Sequence, residues 1–296
     1  MDTGVGGREL YEGLMEVAGP GAHREVALPW LAETGSAYRD RLHTAAACSG
    51  WWQHRRTDHR VGVLYGELYA LGRVSDLLLL ARQTPAGPWD PGVEGLAFSD
   101  EEYLDLFTGL GMTPFRGGGF DPFLHEIVEV EQAEDPAAPI EVTEVLWPGL
   151  MLGELLFSRA GVRVRAGAAH ARRGVADRSP LYWSFRRRHR RTVDLSQGWG
   201  GNSQWSTDLR LDYRTPSGDH LNVDGDRPID GSTTLPADHP ENLSPRERLL
   251  TPRERRDLLR HRCLLRTPEA VAELDRDAPW DLEFLPFDWR LPTAGE

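Results

Sequence analysis

The side chains best suited to chemistry begin with one histidine and two carboxylates. His125 and Glu129 lie in the segment 123–131, and Glu144 lies in the next apolar stretch of the chain. A histidine and two carboxylates can hold a divalent metal ion, or can act as an acid and a base. These three residues are therefore the candidate catalytic residues, and the same three are the candidate metal ligands.

The spacing of these residues decides whether they can meet. The β-branched residues of the segment favour a strand, on which His125 and Glu129 would stand about 13 Å apart, too far to share an ion. An antiparallel pairing that sets Glu131 opposite Ile140 would place Glu144 between them on the same face. A slip of one residue would break this cluster. The alternative is an exposed strand face with alternating charges.

A second group of candidate residues lies between two tryptophans. Asn202 and Gln204 stand between Trp199 and Trp205, beside two glycines. Indole rings stack on flat polar ligands and amide groups orient them, so these four side chains are candidate ligand-binding residues. A tight turn packed around two core tryptophans accounts for the same segment equally well.

Charge is segregated along the middle of the chain. Residues 117–158 contain nine acidic side chains and neither Arg nor Lys, whereas residues 159–191 contain eleven arginines and one acid. Neighbouring strands would turn this pattern into opposite-charge pairs, each contributing about 0.2–1 kcal/mol. Alternatively, arginines of this stretch bind a phosphate or carboxylate, to which the guanidinium group is suited. Arg186 and Arg188 are the candidate anion ligands, and a solvated basic face is the simpler interpretation of the run that contains them.

The absence of lysine excludes several classes of enzyme. All 34 basic residues are arginine. P-loop nucleotidases, protein kinases and enzymes that bind pyridoxal phosphate or form Schiff bases each require a lysine. A divalent metal is the one cofactor that the sequence suggests. The net charge of −12 argues against binding to nucleic acid, which depends on neutralising phosphates.

The elements that would position these residues predict an α+β fold. Residues 28–43 and 61–82 have the apolar spacing of helices, and Ser99 with the acids behind it begins another. Thr251, followed by Pro, Arg and Glu, begins a helix near the C-terminus. Strands joined as an antiparallel meander are predicted at 123–131, 140–147, 151–157 and 162–166. The predicted order is a helical N-terminal portion, a central antiparallel β-meander and a C-terminal helical extension.

Composition also suggests domain limits and a cellular location. Turn-forming residues divide the chain into a mainly helical portion at 1–116, a β-rich core with the candidate site at 117–225, and a loop with C-terminal helices at 226–296. The three portions together are short enough to form one domain. No secretory signal or membrane span is found, and Cys48 and Cys263 fit no disulfide framework, so we expect a cytoplasmic protein without a membrane partner.

Two functions are consistent with these features. The first is an enzyme that acts on a small anionic or polar metabolite, with His125, Glu129 and Glu144 as bases or metal ligands and with arginines from 159–191 binding the anion. The second is a non-catalytic module that binds a ligand or a protein through the turn between Trp199 and Trp205. The oligomeric state is not predicted.

Overall fold

A computed structural model describes most of the chain, including nearly all of the N-terminal half. The described residues are 6–17, 19–83, 96, 98–182, 184–190, 192, 209–231, 235–236, 239, 242–244, 247–267 and 289–291. Within them the α-helices are α1 (Gly7–Val17), α2 (Leu28–Leu42), α3 (His59–Leu79), α4 (Asp100–Gly109) and α5 (Pro252–His261). Short 3-10 or π turns flank them at His23–Ala27, His43–Ala46, Trp51–His54, Leu80–Arg82 and Glu247–Leu249.

Two helices begin where the sequence places their capping residues. Before α4, the Ser99 hydroxyl accepts from the Glu102 N–H at 3.2 Å, and the Glu102 carboxylate accepts from the Ser99 N–H at 2.8 Å. Before α5, Thr251 and Glu254 make the same reciprocal pair at 3.2 and 2.9 Å. Each box satisfies amide groups that the first helical turn leaves without partners. The predicted helices at 28–43 and 61–82 are also confirmed, as α2 and α3.

The described strands form two main sheets and one short pair. The five-stranded sheet has the order β1-β4-β5-β7-β8, and the three-stranded sheet has the order β2-β6-β3. A short parallel pair joins β9 and β10. The strands are β1 (Thr113–Phe115), β2 (His125–Gln132), β3 (Glu141–Trp147), β4 (Gly149–Leu152), β5 (Leu155–Ser158), β6 (Ala160–Ala166), β7 (Tyr213–Thr215), β8 (Gly218–His220), β9 (Arg227–Pro228) and β10 (Trp289–Arg290).

The pairing expected between the first two predicted strands is wrong. β6 lies between β2 and β3, parallel to β2 and antiparallel to β3, so Glu131 pairs with Arg165 and not with Ile140. The predicted strand at 151–157 is a hairpin, because Gly153 turns the chain with a positive φ of 58°. The α+β class is confirmed, as is the order of helices, sheets and a helix near the C-terminus.

One apolar core joins the N-terminal helices to the five-stranded sheet. It contains side chains of α1 to α4 together with residues of β4, β5 and β7. A second cluster packs α5 against β10 and the segments between β8 and α5, and a third covers one face of the three-stranded sheet. In the described part of the chain, no helix is long and apolar enough to cross a membrane. The division into three portions stays a prediction.

Candidate functional site

The two candidate glutamates are paired with an arginine on the three-stranded sheet. Arg163 of β6 is in register with Glu129 on one side and with Glu144 on the other. Its Nε donates to the Glu129 carboxylate at 3.0 Å, and its Nη1 donates to the Glu144 carboxylate. The acidic and basic stretches are therefore neighbours in one sheet, as the cross-strand interpretation of the charge pattern predicts.

His125 lies apart from these glutamates, at the beginning of β2. It pairs with Ala160, and a bulge between Ile127 and Glu129 changes the register before Arg163 is reached. The ring is buried, and its Nδ1 accepts from the Asp121 N–H at 2.9 Å. Burial is the main cause of the lowered pKa of His125.

The structure thus corrects the metal hypothesis for His125, Glu129 and Glu144. Among the residues that the structure describes, no three His, Cys, Asp or Glu side chains are grouped so that they could hold a metal ion. The reason is the intervening strand β6, which brings an arginine to the position where an ion would have been shared.

Removing Arg163 should have a small effect on stability. Its side chain is 35% exposed, and those of Glu129 and Glu144 are 46% and 51% exposed, so water and salt screen both pairs. We expect Arg163→Met to lower the free energy of unfolding in urea by less than about 1 kcal/mol, with a smaller difference in 1 M NaCl. A loss above about 2 kcal/mol would contradict the assignment of this ladder to surface pairing.

A pocket with charged walls lies between α3, β2, β5 and residues 181 and 184–187. The space inside it that the centre of a water molecule can reach is about 40 Å³, enough for a small ion or a few water molecules. We call it the arginine pocket, because four arginines and two carboxylates supply its charged lining: Arg73, Arg159, Arg187, Arg262, Asp76 and Glu126. Tyr69, Phe157, Leu181, Phe185 and Leu209 supply much of the remaining wall.

The two carboxylates of the pocket share Arg187. Arg187 donates to both oxygens of Glu126 at 2.8 Å, and its Nη1 donates to Asp76 at 2.7 Å. Burial raises the pKa of Asp76, and Arg187 only partly offsets this effect. Burial acts in the same direction on Glu126, but there the two-pronged contact with Arg187 prevails and lowers the pKa. Asp76 is therefore the carboxylate that takes up a proton more readily.

Just outside the lining, one buried carboxylate is surrounded by three guanidinium groups. Arg210 Nε contacts Asp212 at 2.6 Å, Arg262 Nη2 lies 3.1 Å from it, and Arg159 Nη2 lies 3.9 Å from it. Burial and the neighbouring Arg262 lower the pKa of Arg159. Burial also lowers the pKa of Arg210, to about 10. Positive charge thus exceeds negative charge around Asp212.

Arg159 and Arg262 each have a buried guanidinium nitrogen without a partner among the described residues. Arg159 donates through Nε to the Phe123 carbonyl and through Nη2 to the Arg260 carbonyl, but its Nη1 is buried without a hydrogen bond. The Nε of Arg262 is likewise buried without a partner. Leaving a buried donor unsatisfied costs about 1–3 kcal/mol, and more for a charged group.

The lining as a whole carries a positive charge of two. Its four arginines exceed its two carboxylates by that amount. Asp212 and Arg210 lie behind the lining as a pair of opposite charge. Asp224 adds a further carboxylate near Arg210 but does not line the pocket.

The backbone at Arg262 shows that this arginine occupies an unfavourable position. Arg262 follows α5 with a φ of 61°, in the left-handed region. Glycine or asparagine is favoured at such a position after a helix, because a larger side chain crowds the backbone. Residues held in strained backbone conformations cluster at functional sites. Arg262 is nevertheless buried, with only 6% of its surface exposed.

The guanidinium of Arg73, from α3, lines the pocket and is surrounded by three aromatic rings. Its guanidinium lies 3.8 Å from the centre of the Phe185 ring, 4.8 Å from that of Tyr11 and 5.7 Å from that of Tyr69. Cation–π contacts of this kind stabilise a desolvated arginine. They hold the positive charge of Arg73 at the wall, beside Asp76.

The candidate anion ligands Arg186 and Arg188 are the chain neighbours of Arg187, which lines the pocket. Arg186 lies over the Phe185 ring at 4.8 Å, and Arg188 donates from its backbone to Gln83 and from its Nε to the Leu80 carbonyl. Neither belongs to the pocket lining, whereas Arg187 does. Their role as ligands stays a prediction.

The other candidate ligands, Trp199, Asn202, Gln204 and Trp205, lie outside the described residues. Sequence reasoning missed Arg73 and Asp76, although two charges within the leucine-rich stripe of α3 are a recognisable signal. It also missed Arg262, whose buried role follows only from the fold.

Comparison with known proteins gives no assignment of family. No family model matches the chain, and neither a curated protein nor a solved structure matches it.

Proposed function

We propose that this protein binds a small anionic metabolite in the arginine pocket, through Arg159 and Arg262. The observation that carries the proposal is that Arg159 Nη1 and Arg262 Nε are buried without a hydrogen-bond partner among the described residues, on two residues that line the same cavity. An oxyanion accepts from several N–H groups at once and suits the planar guanidinium.

Charge supports the same ligand class. Buried ions are costly unless they are paired, and the lining has two more positive than negative groups. An anion in the pocket would supply the missing negative charge. The strained backbone at Arg262 points in the same direction, because the local conformation alone favours glycine there.

A second candidate function is catalysis on the bound anion. Asp76 favours it, since this carboxylate lines the pocket and burial raises its pKa towards the range in which a group exchanges protons. In this version of the enzyme hypothesis, Asp76 takes the role that the sequence assigned to His125, Glu129 and Glu144.

Thermal unfolding with inorganic phosphate tests the binding proposal. We expect phosphate to raise the unfolding temperature of the wild-type protein relative to chloride of equal ionic strength. At a phosphate concentration about 100 times the Kd, the stabilisation is about 2.7 kcal/mol. Arg262→Gly should abolish this response yet still fold, because glycine suits the left-handed backbone and Asp212 keeps Arg210.

The control for this variant is Arg163→Gly, which also removes an arginine but on the exposed ladder, and it should respond to phosphate like the wild type. A response that survives in Arg262→Gly would place any anion site elsewhere. No response in the wild type would remove the proposal.

A further inference from the structure

We infer that the anion of the arginine pocket is a compact oxyanion that keeps a proton, such as hydrogen phosphate, and that its O–H group donates a hydrogen bond to Glu126. This inference deepens the proposed function and rests on it. It names the ligand by its size and by its ability to donate a hydrogen bond as well as to accept one.

The size of the ligand follows from the small space inside the pocket. The centre of a water molecule can reach about 40 Å³ of it, which is room for a few water molecules. An ion in this space that accepts from Arg159 Nη1 and Arg262 Nε therefore lies close to the other walls as well. Those walls include the carboxylates of Asp76 and Glu126.

Glu126 has unused acceptor sites on this wall. Burial and Arg262 lower the pKa of Arg159, and the charge of Glu126 acts against them, so Glu126 is within electrostatic reach of an arginine that binds the anion. Among the described residues, Arg187 supplies the only hydrogen bonds to Glu126, through Nε and Nη2. A carboxylate can accept about four. Burial raises the pKa of Glu126, but Arg187 prevails and lowers it, so the carboxylate stays ionised.

The carboxylates around the pocket disfavour an anion that has no proton. Asp76 and Glu126 line the pocket, and Asp212 lies just outside it, beside Arg159 and Arg262. An oxygen with lone pairs alone would meet the lone pairs of Glu126 in a buried place, where unmatched polar contacts are costly. A protonated oxygen turns the same contact into a hydrogen bond to a charged acceptor, which is one of the stronger kinds.

Phosphate and sulfate are the probes that test this inference. Both are tetrahedral and carry similar charges at pH 7.5, but only phosphate then has a proton to donate. In isothermal titration calorimetry at pH 7.5 and constant ionic strength, we expect the wild type to bind phosphate at least about tenfold more tightly than sulfate, because a site built around a donor rejects an analogue that lacks it. Glu126→Gln should reduce this ratio to less than about threefold, because the amide can donate to sulfate.

Asp105→Asn is the matched control. Asp105 is exposed on α4 and does not line the pocket, so this variant also removes one negative charge but should keep the ratio of the wild type.

The wild-type ratio tests the inference whether or not Glu126→Gln folds. If the wild type binds both anions equally and in an Arg262-dependent manner, this inference is wrong and the proposed function stands. A wild-type ratio that persists in folded Glu126→Gln would overturn the role of Glu126, and failure of both anions to bind would overturn both proposals.

Discussion

Replacing Arg187 with methionine should lower the free energy of unfolding by about 3–5 kcal/mol. Arg187 is 5% exposed and is paired with Asp76 and Glu126, which are 8% and 4% exposed. Without it, Asp76 and Glu126 remain close together in a buried place and lose the one guanidinium that is hydrogen-bonded to both of them. The cost of breaking such a pair exceeds the net stabilisation that the pair provides.

Urea unfolding of two further variants separates this effect from simple loss of packing. Arg186→Met, one residue earlier, removes a guanidinium that lies over an aromatic ring and should cost about 1 kcal/mol. Adding Asp76→Asn and Glu126→Gln to Arg187→Met should recover much of the stability, because the uncompensated charges are gone. Equal losses for Arg187→Met and Arg186→Met would contradict the assigned role.

Mild acid should destabilise the protein through two histidines. Burial, with the neighbouring arginines Arg190 and Arg159 respectively, lowers the pKa of His189 and of His261 to about 3. In the unfolded chain a histidine has a pKa near 6.5, so below that pH the unfolded state binds more protons and stability falls. At pH 5 the loss is about 2 kcal/mol for each histidine, or about 4 kcal/mol for both.

Urea unfolding at pH 7.5 and pH 5.0 measures this loss. The double variant His189→Gln, His261→Gln should remove most of the difference between the two pH values. The lowered pKa of His125 acts in the same direction and leaves a smaller loss in the double variant. The lowered carboxylate pKa values of Glu126 and Asp212 act only below about pH 4.5, and the raised pKa of Asp76 acts in the opposite direction. Unchanged stability at pH 5.0, or an unchanged loss in the double variant, would contradict the assignment.

Local features of the sequence predict the helices well. The capping residues Ser99 and Thr251 stand next to the helices that they begin, and apolar spacing marks α2 and α3. These signals depend on residues within a few positions of one another. They therefore need no knowledge of the rest of the fold.

The sheet could be predicted only in part, because strand pairing is not local. The segments of β2, β3 and β6 are recognisable, but the sequence does not reveal that β6 enters between the other two. That one insertion separates β2, which carries His125 and Glu129, from Glu144 of β3, and it pairs both glutamates with Arg163. The segregation of charge was the better guide, since cross-strand pairing of the two stretches is what the structure has.

The arginine pocket was beyond prediction for a related reason. Its charged residues come from parts of the chain that are far apart. They lie in α3, in β2, at Arg159 before β6, at Arg187, and at Arg262 after α5. Only the fold reveals that Arg159 and Arg262 approach the same buried carboxylate. The sequence did indicate that anion binding should depend on arginine, because the chain has no lysine.

The most direct test of the anion proposal is a crystal structure of the protein grown with arsenate, an analogue of phosphate that anomalous scattering can locate. We predict an arsenate ion in the arginine pocket, within hydrogen-bond distance of Arg159 Nη1 and Arg262 Nε. A pocket that holds only water, or in which another part of the chain accepts from these two groups, would contradict the account.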